Sequence, residues 1–151
     1  MTTTPLKRDV LVSERQSVSA LVSMLRALYL ILALLFVGAV VLQVFFAGAT
    51  LLVDARHLID HRALGEAMWP LPVLMIAISL IARLGKRSAL LSVLLLVLYV
   101  MQYAIIHVFP TLGLPTVFRA LHAVNALLLF WVALHLAKLT WHILRPVAQA
   151  E

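Results

Sequence analysis

The chain has 151 residues, 64% apolar and 12% charged, with twelve Lys and Arg against six Asp and Glu. A domain of this length keeps too much surface to hide so much apolar side chain in water, which excludes a soluble enzyme, a disordered tail and a nucleic-acid reader and leaves an integral membrane protein. It has no cysteine, so disulfides, iron–sulfur clusters, thiolate catalysis and covalent c-type heme attachment are excluded as well.

Residues 1–24 read as a cytoplasmic N-terminal segment with a capping-like Ser13-x-x-Gln16. The apolar run that follows is too long for the core of a signal peptide, so it is expected to stay in the mature protein. A span needs about 20 mostly apolar residues, and four segments qualify: about 25–53, 65–84, 88–109 and 116–144. The charged stretch Asp54 to Arg62, the basic turn Gly85-Lys86-Arg87, and Pro110 to Pro115 with two prolines and a glycine separate them. Trp69-Pro70-Leu71-Pro72 is expected to kink or unwind the second span near its outer end. Residues 145–151 form a short cytoplasmic tail.

Nine of the twelve basic residues, Lys7, Arg8, Arg15, Arg26, Arg83, Lys86, Arg87, Lys138 and Arg145, fall on one side of these spans. Arg56, Arg62 and Arg119 fall on the other. The positive-inside rule then places both termini and the middle turn in the cytoplasm of a bacterial cell, with the protein in its plasma membrane. Short connections make neighbours in sequence neighbours in space, so the expected fold is all-α, a transmembrane up-down-up-down four-helix bundle.

Polar residues within spans are expensive and tend to face the bundle interior, and here they recur. Gln43 lies in the first span and Gln102 in the third, 59 positions apart; His61 opens the second and His122 lies in the fourth, 61 apart. The chain therefore reads as two repeated helical hairpins, each with a Gln-bearing helix going up and a His-bearing helix coming down. Both histidines fall near the outer ends of parallel helices, and Ala47, Gly65, Ala126 and Ala133 are expected on the inward faces.

Three strings carry a resemblance: Gln43-x-x-x-Ala47-Gly48, His61-Arg62-x-x-Gly65 and Leu121-His122-x-x-Asn125-Ala126. Over about residues 40–140 the chain resembles a family of small bacterial four-helix membrane proteins of uncharacterised function. More loosely, the hairpin layout is similar to one four-helix half of heme A synthase, whose halves use outer-side histidines around a heme site. Only His61 and His122 match that pattern by position, and the cysteine pair of many members is absent. The resemblance therefore implies a heme-binding four-helix bundle and not the synthase activity.

The residues themselves leave two readings of His61 and His122. Imidazoles on diagonal helices can hold a b-type heme from both faces, with Gly65 and Ala126 four residues beyond them as small neighbours on the same helix faces. Alternatively both are interfacial side chains that cap helix starts or hydrogen-bond loop carbonyls, or they meet another metal or a quinone. Gln43, Gln102 and Asn125 either orient the ring or tie helices together. Arg62 and Arg119 either meet heme propionates or lipid headgroups. His57 and His61, i and i+4 among Asp54, Asp60 and Glu66, offer a chelating alternative, and His107 a substitute ligand. His135 and His142 lie about 20 and 30 Å deeper along their helix and are expected to be interfacial anchors with Trp131, Lys138 and Trp141.

No nucleophile–base–acid set, phosphate loop or membrane-embedded carboxylate is present, so a proton- or cation-coupled transporter is not indicated. Besides a quinone-binding or heme-handling enzyme that uses the same pocket for a transient guest, two functions remain. One is a small heme b protein for membrane electron transfer or redox sensing. The other is a cofactor-free accessory or assembly subunit of a larger respiratory or photosynthetic complex. Expected partners are the lipid bilayer, other subunits or a second copy, and a quinone; nucleic acid is not among them.

Overall fold

The computed structural model describes residues 5–145, with side chains from residue 19 onward. Residues 1–4 and all but the first residue of the expected C-terminal tail lie outside the described residues. Five α-helices follow in order: α1 (Pro5–Leu52), α2 (His57–Ala67), α3 (Pro70–Ile81), α4 (Lys86–His107) and α5 (Leu121–Leu144), with 3-10 turns at Phe109–Leu112 and Thr116–Ala120. No strand occurs among the described residues. Four helical stretches are long and apolar enough to cross a membrane: Ser19–Leu52, His57–Ile81, Lys86–His107 and Thr116–Leu144. The protein is accordingly an all-helical, multi-pass membrane protein. In it α1 packs against α2, α3 and α5, and α4 packs against α3 and α5.

Two boundaries differ from the hydropathy reading. α1 begins at Pro5, a residue suited to the first helical position, so Ser13 lies inside a helix rather than at its start. The second membrane-length stretch begins at His57, two turns before Gly65. Charge keeps residues out of hydrocarbon but does not bar a helix, and only residues 53–56 turn. There Asp54 accepts from the Arg56 backbone N–H at 2.8 Å and from its guanidinium at 2.9 Å. The guanidinium bond, and then the backbone one, hold the Asp54 carboxyl below the ordinary carboxylate range.

The break between α2 and α3 sits where the two prolines predict it. Pro70 and Pro72 occupy the first turn of α3, where missing N–H groups leave nothing unpaired; Met68 and Trp69 form the joint. α3 ends in a Schellman motif: the Leu84 N–H reaches the Ser79 carbonyl at 3.0 Å and the Arg83 N–H the Leu80 carbonyl at 3.3 Å. Arg83 takes the left-handed position with φ 51°, and Gly85 follows at φ 90°, ψ 161°, a region open essentially to glycine alone. The Arg26 Nε donates to the freed Ala82 carbonyl at 3.2 Å, tying α1 to this turn.

The core is a set of helical stripes. Tyr29, Leu32, Ala33, Phe36 and Val40 form the buried stripe of α1, facing Leu129, Val132, Ala133, Leu136 and Ala137 of α5. Small hydroxyl residues fill the remaining contacts near the Gly85 end. Ser88, Ser92 and Thr140 each return a bond to the carbonyl four residues back, and Tyr29 Oη pairs with Ser92 Oγ at 2.7 Å. Outside, Leu90, Leu127 and Phe45 are more than 60% exposed, as suits side chains that face acyl chains.

Leu95 is fully buried and Leu90 is 70% exposed on the same helix. Leu95→Ala should cost about 2 kcal/mol or more through the cavity it leaves, and Leu90→Ala should stay within about 0.5 kcal/mol. Unfolding of the detergent-solubilised protein measures both.

Candidate functional site

The site lies at the end of the helices remote from Gly85, where α1, α2, α4 and α5 each contribute one polar side chain. Gln43 (α1) donates from Nε2 to the backbone carbonyl of His61 (α2) at 2.9 Å, and His61 Nδ1 meets the backbone carbonyl of Gln43 at 3.1 Å. The other pair repeats the arrangement atom for atom. Gln102 (α4) donates to the His122 carbonyl (α5) at 2.9 Å, and His122 Nδ1 meets the Gln102 carbonyl at 3.3 Å. A carbonyl only accepts, so each Nδ1 donates, and neither Nε2 makes a hydrogen bond to the described residues.

The two rings converge. Their centroids are 6.1 Å apart with planes inclined by 58°, so the histidines stand at one depth on helices that are not sequence neighbours. All four residues are half-buried. Gln43 and Gln102 use their amides to tie helices together, and in doing so they orient the rings through the reciprocal bonds.

Two groups around this quartet distinguish its halves. Asn125, buried one turn beyond His122, donates to the Leu98 carbonyl at 2.8 Å and to Gln102 Oε1 at 2.5 Å. The corresponding position after His61 is Leu64, and Gln43 Oε1 is buried without a hydrogen-bond partner. Gly65 makes room for the Gln43 amide: a Cβ there would stand 3.0 Å from Nε2. The Gly65 carbonyl in turn accepts from Tyr99 Oη at 2.6 Å. Tyr99 is the member of the site that sequence reasoning missed; its spacing of three from Gln102 on one helix face was the available signal.

The remaining expected residues are distributed as follows. Ala126 is half-buried on α5 beside Asn125. Arg62 on α2 and Arg119 in the turn before α5 are exposed, and neither pairs with a carboxylate among the described residues. His57 does not join His61: it turns to Asp60 at 3.2 Å and stacks on Phe46. Among the described residues no three His, Cys, Asp or Glu side chains gather as a metal site would require. His107 stacks on Tyr103 at 4.3 Å and is exposed. At the opposite end His135 stacks on Trp131 and accepts from the Arg87 guanidinium at 2.9 Å, while Arg145 lies over Trp141. A shallow recess under the loop is lined by Phe109, Pro110, Leu114, Phe118 and Arg119 among others.

Gly65→Ala should push the Gln43 amide off the His61 carbonyl and cost about 1 kcal/mol, the worth of one such bond. Gly38→Ala, where an added Cβ meets nothing within 4 Å, should be neutral or stabilising by up to about 1 kcal/mol. Thermal unfolding in detergent separates the two.

Residues 43–111 match a family of unknown function (DUF6220). The matched stretch contains Gln43, His61, Gly65, Tyr99 and Gln102 and ends before His122. No curated protein and no solved structure matches the chain, so the looser likeness to heme A synthase gains no support. Over the residues that carry one Gln–His pair and the glutamine of the other, the chain is similar to a family of uncharacterised proteins.

Proposed function

We propose that His61 and His122 are the two axial ligands of a b-type heme, and that the protein carries single electrons or senses redox state in a bacterial plasma membrane. The observation behind this reading is the close pair of imidazoles. Two rings bound through Nε2 at about 2 Å to opposite sides of one metal ion have centres about 6 Å apart, and these stand at 6.1 Å. Each Nδ1–H is already committed to a carbonyl, the usual support for a ligating histidine, because it sets the tautomer and raises the basicity of Nε2. The heme would supply reversible one-electron chemistry. The chain's own part would be to hold the two imidazoles at this spacing and to offer Arg62 and Arg119 to the propionate carboxylates.

In the same reading the fold is two copies of one helical hairpin in up-down-up-down order, supported by the matched Gln–His bonds. Both termini and the Gly85 turn are cytoplasmic, supported by the nine basic residues assigned to that side. The heme site then lies in the outer half of the bilayer. A cofactor-free accessory subunit would not call for two imidazoles this close together, which is why the heme reading is preferred.

The protein, expressed with ample heme and purified in detergent, should show a low-spin six-coordinate spectrum when reduced. His61→Ala and His122→Ala should each abolish it while leaving the helices folded, and His135→Ala should leave it unchanged. A colourless protein, or wild-type spectra from both single variants, would falsify the assignment and return the accessory-subunit reading. For topology, a cysteine introduced at Lys86 should resist impermeant reagents in intact cells while one introduced at Ala55 is labelled; the reverse pattern inverts the orientation.

A further inference from the structure

The Gly85 end of the bundle is cationic without compensation. Every carboxylate whose side chain is described, Asp54, Asp60 and Glu66, lies at the opposite end. Along α5, Trp131, His135, Lys138, His142 and Arg145 follow one another at intervals of four, three, four and three, so they share one helix face. That face is turned from the core: Leu129, Val132, Ala133, Leu136 and Thr140 are buried on the other side, and Trp131 is 60% exposed. Arg87 joins the stripe from α4. Its guanidinium donates to His135 Nε2 at 2.9 Å, and the His135 ring stacks on Trp131 with centroids 5.6 Å apart and planes inclined by 17°. The guanidinium is thereby held against the lipid-facing side of α5. Its remaining N–H donors and the Lys138 ammonium meet no acceptor among the described residues. Lys86 and Arg87 also stand in the first turn of α4, which holds no acidic residue and where the helix macrodipole disfavours cations.

We propose that this α4–α5 face binds one anionic phospholipid, its phosphate held by Arg87 and Lys138 and an acyl chain laid along Trp131, Leu127 and Val124. The phosphodiester oxygens supply the acceptors that the guanidinium and ammonium lack, and their charge relieves the mutual repulsion of the cations. Beyond Trp131 the same face of α5 continues as exposed Leu127 and Val124, an apolar track one acyl chain can follow, with the indole at the boundary between headgroup and hydrocarbon. A zwitterionic lipid brings its own cation to the patch and gains less from it. Basic crevices between membrane helices recognise anionic headgroups in this way. The site shares no residue with the Gln–His quartet and stands independently of what His61 and His122 hold.

The test is the fluorescence of Trp131 in the full chain reconstituted into phosphatidylcholine vesicles. Trp69→Phe and Trp141→Phe, both at exposed positions, leave Trp131 as the one emitter. Lipids brominated on their acyl chains quench a tryptophan they touch. At equal mole fraction, brominated phosphatidylglycerol should quench Trp131 more strongly than brominated phosphatidylcholine. Arg87→Gln and Lys138→Gln should each lower the relative affinity for phosphatidylglycerol about fivefold, the share of one cation near the membrane surface. Quenching by brominated phosphatidylcholine should be the same in every variant, as expected of a folded, inserted chain. Arg83→Gln removes an equal charge from the same end but off the stripe, and should change the preference by less than about twofold. Equal quenching by the two lipids overturns the proposal. So does an Arg83→Gln loss as large as that of Arg87→Gln, which reduces the effect to diffuse surface charge. A preference abolished by millimolar inorganic phosphate, with phosphatidylcholine quenching unchanged, assigns the patch to a soluble anion and overturns it as well.

Discussion

A backbone carbonyl inside a helix has two lone pairs and a single helical donor, and in a hydrocarbon environment there is no water to serve the second. At Gln43, His61, Gln102 and His122 the second lone pair is served by a side chain of the neighbouring helix. Each exchange is reciprocal: the residue that gives a side-chain proton to its neighbour's carbonyl receives one at its own. That reciprocity sets the register of α1 against α2 and of α4 against α5. It also turns both imidazoles inward in one tautomer. The convergence of the rings, the seat for the Gln43 amide at Gly65 and the freedom of both Nε2 atoms all follow from it.

The rest of the packing lets these bonds persist. Association in lipid gains little from burying apolar surface, so close approach and hydrogen bonding carry it. The protein divides these two means by depth. Near the histidines, long amides span the gaps between helices. Near Gly85, Ser88, Ser92 and Thr140 bond back into their own helices and leave smooth contact surfaces, with Tyr29 bridging α1 to α4 through Ser92. Arg26 closes that end by capping the Ala82 carbonyl, an orphan acceptor that every helix terminus creates.

The two Gln–His pairs are alike in their bonds and unlike in their support. Asn125 completes one pair, while Leu64 at the equivalent place leaves Gln43 Oε1 bare. The two pairs therefore share their reciprocal bonds but differ in the polar groups that complete them.

Membrane residence, four spans and the identities of the polar residues within them were legible in the amino-acid sequence, because hydrocarbon demands about 20 apolar residues per crossing and any amide or imidazole among them stands out. The Pro70-x-Pro72 break and the matched spacing of Gln43, His61, Gln102 and His122 were legible for the same reason. Which atoms pair was not. The spans are apolar on every side, so no hydrophobic periodicity marks the inward face, and only its spacing of three from Gln102 sets Tyr99, which bonds the Gly65 carbonyl, apart from Tyr103, which stacks on exposed His107. The start of α2 at His57 was hidden too, since charge signals the edge of the hydrocarbon and not the end of a helix. Hydrogen bonds need donor and acceptor placed within a few tenths of an ångström. Only the packing of four helices against one another sets such distances, so the convergence of His61 with His122, and the inequality of their supports, belong to the tertiary structure alone.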